Sequence, residues 1–292
     1  MTPLIPYANI PELVVLPAGT LGSGSAPLTL KPFGLLVATG VYLGAFVTSR
    51  YANRRGVSPR AIASFVYWVV GIGFIGGHVL DVLFYSPERL KTDPWAIVRV
   101  WDGLSSFGGF IGGSIGALLW RMKQRVPILP YADLVASGLP LGWVFGRAGC
   151  AVVHDHPGLA SDAWYAVAFP SGGRLDLGLI EMALTVPLAI AFLIMQRRAW
   201  PWGFFLAVLC CAYAPVRFAL DFLRIRENVP ALDLYADRRI ASLTPAQWAS
   251  IALFAFGVWL LRRVLSRAED EAAFRAPAPP QALAAPTPSA PN

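Results

Sequence analysis

The amino-acid sequence predicts an all-α polytopic membrane protein with about seven transmembrane helices and an outward-facing loop region. Hydrophobic residues make up 56% of the 292-residue chain and charged residues only 14%, whereas soluble domains carry about 25% charged residues. The mean hydropathy is +0.55. Long apolar stretches alternate with short loops, and half of these loops are rich in arginine. This pattern is typical of a chain that crosses a bilayer several times.

Seven apolar stretches approach the length of about 20 residues that a membrane-spanning helix needs. In chain order they are Phe33–Thr48, Ala61–Phe84, Phe107–Trp120, Tyr131–Phe145, Leu177–Met195, Trp202–Leu223 and Pro245–Leu261. The third and fourth are short and rich in glycine, which predicts tilted or broken helices. The glycines of Val100–Gly113 also favour close packing of one helix against another.

The basic residues predict the orientation of the chain. They fall in alternate loops, which therefore belong on the cytoplasmic side. These residues are Arg50, Arg54, Arg55, Arg60, Arg121, Lys123, Arg125, Arg197, Arg198, Arg262, Arg263 and Arg267. The N-terminus is then outside and the C-terminus is cytoplasmic. The outward loops, 86–106, 150–176 and 224–244, hold most of the unusual polar residues, so we expect the function to face outward.

The two ends of the chain differ from the transmembrane domain, which we assign to residues 31–265. Residues 1–30 form an N-terminal outward segment without the basic start of a cleavable signal peptide. Residues 268–292 are rich in alanine and proline, which predicts a disordered cytoplasmic tail. The net charge of +7 indicates anionic lipid headgroups rather than nucleic acid, because the arginines lie between apolar segments.

Two arginines lie within or directly after apolar stretches. Arg147 follows the run that ends at Phe145, and Arg217 lies in the sixth stretch with Asp221 four residues later, on the same helix face. Arg224 lies on the same helix face, about one turn after Asp221. A charge at membrane depth costs a few kcal/mol, so such residues are kept near a partner or a substrate. The sequence predicts an anion site, with a snorkelling Arg147 and a structural Arg217–Asp221 ion pair as alternatives.

Two of the three histidines flank an aspartate in the segment His154–Gly158. Histidine moves protons readily near neutral pH, so His154 and His156 are candidates for proton transfer or substrate positioning; a capped structural turn is the alternative. No third or fourth ligand has the spacing of a standard zinc site, so we predict no metal and no cofactor. Glu181 lies near the outer end of the fifth stretch, where it orients an arginine or faces solvent.

Several motifs, taken in order, resemble the prolipoprotein diacylglyceryl transferase family. The motifs are TLKPFGLLVATG, SRYANRRG, GGHVLDVLFY, DPWAIVRVWDG, FGGFIGG, GRAGC with HDHPG, APVRFALDFLR and LTPAQ. The resemblance runs from about Leu28 to Leu261. Each motif alone is modest, but the ordered set is fairly specific to the family.

The resemblance implies a reaction in the bacterial cytoplasmic (inner) membrane. A cysteine thiol in the lipobox of a prolipoprotein signal peptide attacks the glycerol carbon of phosphatidylglycerol, a thioether forms, and glycerol phosphate leaves. The expected partners are therefore phosphatidylglycerol, the prolipoprotein and membrane lipid. The candidate site residues are Arg147, Arg217, Arg224, Gly158 and Glu181 for the phospholipid phosphate, and His154, His156, Arg217 and Asp221 for catalysis.

The chain departs from the family pattern at four informative positions. Phe33 replaces a tyrosine, Phe107 replaces the usual histidine or tyrosine, Cys150 replaces an asparagine, and His78 replaces an arginine. The phosphate-binding arginines remain, whereas a proposed proton acceptor is absent. Either a histidine of the His154–Gly158 segment takes over that role, or the chain is an altered or inactive homologue that binds a phospholipid or a lipoprotein precursor. A third hypothesis for the function is a small anion transporter, although no inverted repeat in the sequence supports it.

Overall fold

The computed structural model describes residues 5–8, 10–17, 28–85, 88, 90, 93–98, 105–226 and 239–266. Within these residues, seven α-helices have 17 residues or more. They are α1 (Pro32–Arg54), α2 (Pro59–Leu80), α3 (Ser106–Gln124), α4 (Leu129–Val153), α5 (Leu177–Met195), α6 (Phe204–Leu220) and α7 (Pro245–Ser266). The predicted helical class is confirmed. The predicted tail, Arg267 and the side chain of Phe107 lie outside the description.

Five of these helices are long and apolar enough to cross a membrane. The segments are Pro32–Arg54, Pro59–Leu83, Leu177–Met195, Phe204–Leu223 and Pro245–Ser266. A multi-pass membrane protein is therefore confirmed, whereas the count of seven spans stays a prediction. The two helices outside this group, α3 and α4, are those that the sequence marked as short and rich in glycine.

Helix α4 is longer than the sequence indicated. We expected the fourth span to end at Phe145, but the helix continues to Val153 and includes Arg147 and Cys150. Gly146 and Gly149 do not interrupt it, although glycine in a helix costs about 1 kcal/mol relative to alanine. Arg147 therefore lies well inside a helix, and its side chain projects from a defined helical face.

The helices form two compact units. The described part of the first falls within Met1–Thr48 and Ala136–Ala268, and that of the second within Ser49–Val135. In the first unit, α1 packs on α4 through glycines. A Cβ atom on Gly40 would lie 2.6 Å from the Gly142 carbonyl oxygen, and one on Gly138 would lie 2.6 Å from the Gly44 carbonyl oxygen. Only glycine permits this backbone approach.

The second unit contains the same kind of contact between α2 and α3. A Cβ atom on Gly76 would lie 2.8 Å from the Gly108 carbonyl oxygen, and one on Gly108 would lie 2.4 Å from the Gly76 carbonyl oxygen. The close packing predicted from the glycines of this region is confirmed. Beside it, the buried Trp120 ring packs edge-on against Phe65 and Tyr131.

Short strands form an ordered layer that the sequence analysis did not predict. They are β1 (Ile5–Pro6), β2 (Leu13–Leu16), β3 (Leu28–Leu30), β4 (Pro157–Ala160), β5 (Val167–Phe169) and β6 (Gly172–Asp176). Four of them form one sheet in the order β1-β5-β6-β4, and β2 pairs with β3. The sheet joins the N-terminal segment to the chain between α4 and α5, because β1 runs parallel to β5.

Candidate active site

Glu181 is the buried centre of a polar cluster in the first unit. Its side chain is only 5% exposed, and its Oε1 atom lies 3.0 Å from Arg147 Nε. The same oxygen accepts hydrogen bonds from Trp143 Nε1 at 3.0 Å and from the Tyr213 hydroxyl at 2.8 Å. The Arg147 guanidinium also lies over the Trp143 ring, 5.4 Å from its centroid. Three donors on one carboxylate oxygen fix the position of Arg147 closely.

Helical spacing explains how three helices build this cluster. Trp143 and Arg147 are four residues apart on α4, so they share one face of that helix. Glu181 projects from the second turn of α5, and Tyr213 from the C-terminal half of α6. The Trp143 and Tyr213 rings meet edge to face, 5.4 Å between centroids. The rings and the burial of Glu181 lower the local dielectric constant, which strengthens the ion pair.

Arg217 lies one turn after Tyr213 on the same face of α6. Its Nη1 atom is 2.7 Å from Asp221 Oδ1, in the i,i+4 pair that the sequence spacing indicated, and the Arg217 side chain is 21% exposed whereas the Asp221 side chain is fully buried. Tyr213 connects the two arginines, because its hydroxyl shares Glu181 Oε1 with Arg147 and its side chain lies on the same face of α6 as Arg217. The two arginines therefore converge on one region, each held by a buried carboxylate.

The start of α7 secures Asp221 from the other side. The Thr244 hydroxyl donates a hydrogen bond to Asp221 Oδ2. Thr244 Oγ1 also accepts a hydrogen bond from Gln247 N at 3.1 Å, and Gln247 Oε1 accepts one from Thr244 N at 3.0 Å. These reciprocal bonds are a capping box, which stabilises a helix N-terminus. The LTPAQ segment thus both begins α7 and positions the carboxylate that holds Arg217.

Gly158 and Arg224 lie side by side, as their backbones form an antiparallel bridge. A Cβ atom on Gly158 would lie 2.7 Å from the Leu223 carbonyl oxygen and 3.1 Å from the Leu175 carbonyl oxygen. Glycine is therefore required here, because any side chain would push β4 away from the end of α6. The contact brings Arg224 to the strand layer that follows α4.

His154 is held between the aromatic rings of Tyr7 and Phe169 at the end of α4. It adopts a φ of 52°, the left-handed conformation that often ends a helix. Its Nδ1 atom lies 2.7 Å from Asp176 Oδ2, and its ring stacks on Tyr7 at 4.4 Å between centroids. Within the described part of the chain, the buried His154 Nε2 atom has no hydrogen-bond partner. Asp176 also caps α5, accepting from Leu179 N at 3.1 Å.

His156 has a different environment from His154. Its Nδ1 atom is hydrogen-bonded to Asp155 Oδ1, and Cys150 lies close by. The Asp155 carboxylate, and after it Cys150, raise the pKa of His156 to about 9. His156 in this state carries a proton at neutral pH and therefore does not act as a base. Cys150 is also near the arginine cluster, since its Sγ atom is 3.9 Å from Arg147 Nη1.

Several residues of the cluster were not found from the sequence. Trp143 and Tyr213 lie in apolar helices, where an aromatic side chain is ordinarily part of the core. Their spacing could have indicated a role in the site, because each lies four residues before one of the two arginines and therefore on the same helix face. Asp176 gave no signal, since its contact with His154 depends on the strands that return the chain to the end of α4.

Comparison with known proteins gives a family for this arrangement. A family model described as prolipoprotein diacylglyceryl transferase matches residues 23–263. The chain belongs to this family. The family expectation drawn from the ordered motifs is therefore confirmed, and the match includes every residue of the polar cluster described above.

Three relatives illustrate the degree of similarity, and each is named phosphatidylglycerol–prolipoprotein diacylglyceryl transferase. The protein of Chromohalobacter salexigens is 35% identical over 210 residues, which are 68% of this chain and 76% of the relative. That of Nitratidesulfovibrio vulgaris is 31% identical over 254 residues, 85% and 94% of the two chains. That of Agrobacterium fabrum is 27% identical over 280 residues, 90% and 95%.

Proposed function

We propose that the protein transfers the diacylglyceryl group of phosphatidylglycerol to the lipobox cysteine thiol of prolipoproteins and releases glycerol phosphate. The observation that carries this proposal is the convergence of Arg147 and Arg217 near Tyr213, each anchored by a buried carboxylate. Membership of the family supports the same conclusion. The reaction generates negative charge on a phosphate, and fixed cations in a site of low dielectric constant stabilise such charge strongly.

The arginines have the donors that this role requires. A guanidinium group carries five N–H donors in a planar fork. The Nε atom of Arg147 contacts Glu181, and the Nη1 atom of Arg217 contacts Asp221. Further N–H groups of each arginine are then available to a phosphate, which guanidinium groups bind in bidentate fashion. Arg224, bridged to Gly158 at the same end of α6, is placed to extend the phosphate site.

His154 is the better candidate for the acceptor of the thiol proton. Asp176 holds its Nδ1 atom, and the Nε2 atom is then the one that can accept a proton. A carboxylate behind an imidazole fixes the tautomer and stabilises the imidazolium that forms. His156 is less suited because its raised pKa keeps it protonated at neutral pH. We therefore assign the role of proton acceptor to His154 rather than to His156.

We also propose an inner-membrane location with the site facing outward. The basic loops alternate along the chain in the manner of a cytoplasmic face. The pairing of β1 with β5 puts the N-terminal segment on the same side as the chain between α4 and α5, which fits an outward N-terminus. Phosphatidylglycerol and the signal peptide would then meet the arginines from the outer leaflet.

A transfer assay tests this proposal directly. The purified chain is reconstituted with phosphatidylglycerol and a lipobox peptide, and the lipidated peptide is quantified by mass spectrometry. We expect turnover by the native chain and a loss of about 100-fold in Arg147→Lys, because lysine keeps the charge but loses the fork. Arg197→Lys, on the exposed turn after α5, is the matched control and keeps full activity. Binding of phosphatidylglycerol without turnover would instead establish the inactive homologue.

A further inference from the structure

Three side chains with metal-binding atoms meet at the end of α4. One ligand atom each from Cys150, Asp155 and His156 lies within 4.8 Å of the other two. The sequence analysis predicted no metal because no third or fourth ligand, Cys150 included, has a standard zinc spacing to the histidine pair. The chain reversal at His154, with its φ of 52°, turns the two following residues back toward the last turn of the helix.

The chemistry of the three donors favours zinc over other biological cations. Thiolate, imidazole and a single carboxylate are the ligand types that zinc takes, whereas magnesium and calcium prefer oxygen alone. Ligands around a tetrahedral zinc ion lie roughly 3.3–3.8 Å from each other. Side-chain rotation is therefore enough to close the cluster around one ion, with the hydrogen bond between Asp155 and His156 exchanged for bonds to the metal.

The surroundings of the cluster are suited to a metal that acts on a substrate. Cys150 is buried, whereas the side chains of His156 and Asp155 are 35% and 40% exposed, which leaves an entry path. Arg147 Nη1 is 3.9 Å from Cys150 Sγ and can donate a hydrogen bond to the coordinated thiolate, as outer-shell groups commonly do. Its charge is balanced by Glu181, 3.0 Å away.

We propose that Cys150, Asp155 and His156 bind a zinc ion whose fourth position takes the acceptor thiol of the transfer reaction. The inference rests on the proposed function for the identity of that thiol. Three protein ligands and one open position are the arrangement of catalytic zinc sites. A thiol that coordinates zinc is deprotonated, so the metal supplies a thiolate in a chain whose Phe107 replaces the usual histidine or tyrosine.

The step balances in atoms and charge. The thiol binds the metal, and its proton passes to His154. The sulfur then forms a bond to the glycerol carbon, and the bond between that carbon and the phosphate oxygen breaks. The electron pair leaves with glycerol phosphate, whose charge is stabilised by Arg147 and Arg217. The product thioether is a weaker ligand than a thiolate, so it leaves the open position for the next thiol.

Metal analysis of the full-length chain tests the site without reference to activity. The detergent-purified protein is equilibrated with micromolar zinc, freed of unbound metal, and analysed by inductively coupled plasma mass spectrometry. We expect about one zinc per chain and at least a tenfold lower content in Cys150→Ser and in His156→Gln. Cys211→Ser, a half-buried cysteine in α6, is the matched control and keeps the metal. Cobalt substitution of the native chain should give a thiolate-to-metal absorption band that Cys150→Ser lacks.

The outcomes separate the two proposals. A native chain without stoichiometric zinc, or equal zinc in Cys150→Ser and Cys211→Ser, overturns the metal site. If such a metal-free chain still transfers the diacylglyceryl group, the proposed function is retained and the metal site is abandoned. If the chain holds zinc through these residues but gives no transfer, the metal site stands and the proposed function fails. His156→Gln, at a partly exposed position, keeps the test valid where Cys150→Ser does not fold.

Discussion

Glu181 determines the orientation of Arg147, because its Oε1 atom joins the guanidinium, the Trp143 indole and the Tyr213 hydroxyl. We predict that Glu181→Gln lowers transfer activity at least about tenfold, since it leaves a largely buried arginine without its counter-charge. Breaking such a buried pair costs about 3–5 kcal/mol, shared between stability and function. The measurement is kcat/KM for phosphatidylglycerol together with the thermal unfolding temperature in detergent.

The control for this variant is Asp162→Asn, which makes the same chemical change at an exposed position in the loop between β4 and β5. We expect it to keep native activity and stability. Native activity in Glu181→Gln, with the fold intact, would mean that Arg147 does not need the carboxylate and would remove Glu181 from the site.

Sequence spacing predicted contacts between individual residues only where both residues lie in one helix. The Arg217–Asp221 pair follows from four residues of separation on one helix. The contact between Arg147 and Glu181 joins two helices, and spacing alone left a solvated Glu181 as an open alternative. Cys150 shows the same limit, because its neighbours Asp155 and His156 reach it only through the left-handed turn at His154.

At the scale of elements, the capping box of α7 connects helix stability to the site. We predict that Thr244→Val lowers both the unfolding temperature and the transfer activity. The variant removes the cap, which costs about 1–2 kcal/mol, and leaves the buried Asp221 Oδ2 atom without the hydroxyl that donates to it. The measurement is thermal unfolding in detergent and the transfer assay on the same preparation.

Thr39→Val provides the matched control for the cap, because the Thr39 hydroxyl donates only to the Leu35 carbonyl oxygen within α1, at 2.8 Å. We expect Thr39→Val to unfold at the native temperature. If Thr244→Val and Thr39→Val behave alike, the contact between Thr244 and Asp221 does not support the site.

Helices were predictable from hydropathy, whereas the strands were not. The apolar stretches identify the seven helices because lipid requires each backbone to satisfy its own hydrogen bonds. Strands of two to five residues, such as β1 and β6, have too few positions to show an alternating pattern. Their pairing depends on contacts between distant parts of the chain, which β1 and β5 make. The layer that places His154 against Asp176 was therefore invisible in the sequence.

At the scale of the whole molecule, the site in the first unit is built from helix ends that lie on one side. Strand β6 ends where α5 begins, close to the C-terminal end of α4. The bridge between Gly158 and Arg224 brings the C-terminal end of α6 to the same strands, and Thr244 adds the start of α7. If α4 and α6 run outward, then Arg147, Arg217, His154, His156 and the N-terminal strand all face the same compartment.

This arrangement yields a prediction about sidedness that does not depend on catalysis. An impermeant maleimide applied to intact cells should label Asp162→Cys, in the exposed loop after β4, but should label Arg197→Cys, in the exposed turn after α5, only after lysis. The unmodified chain gives the background, since Cys150 and Cys210 are buried and Cys211 is half-buried. The opposite labelling pattern would put the arginines on the cytoplasmic side. A lipobox cysteine that has crossed the membrane could not then reach them, and the transfer reaction would have no place in this molecule.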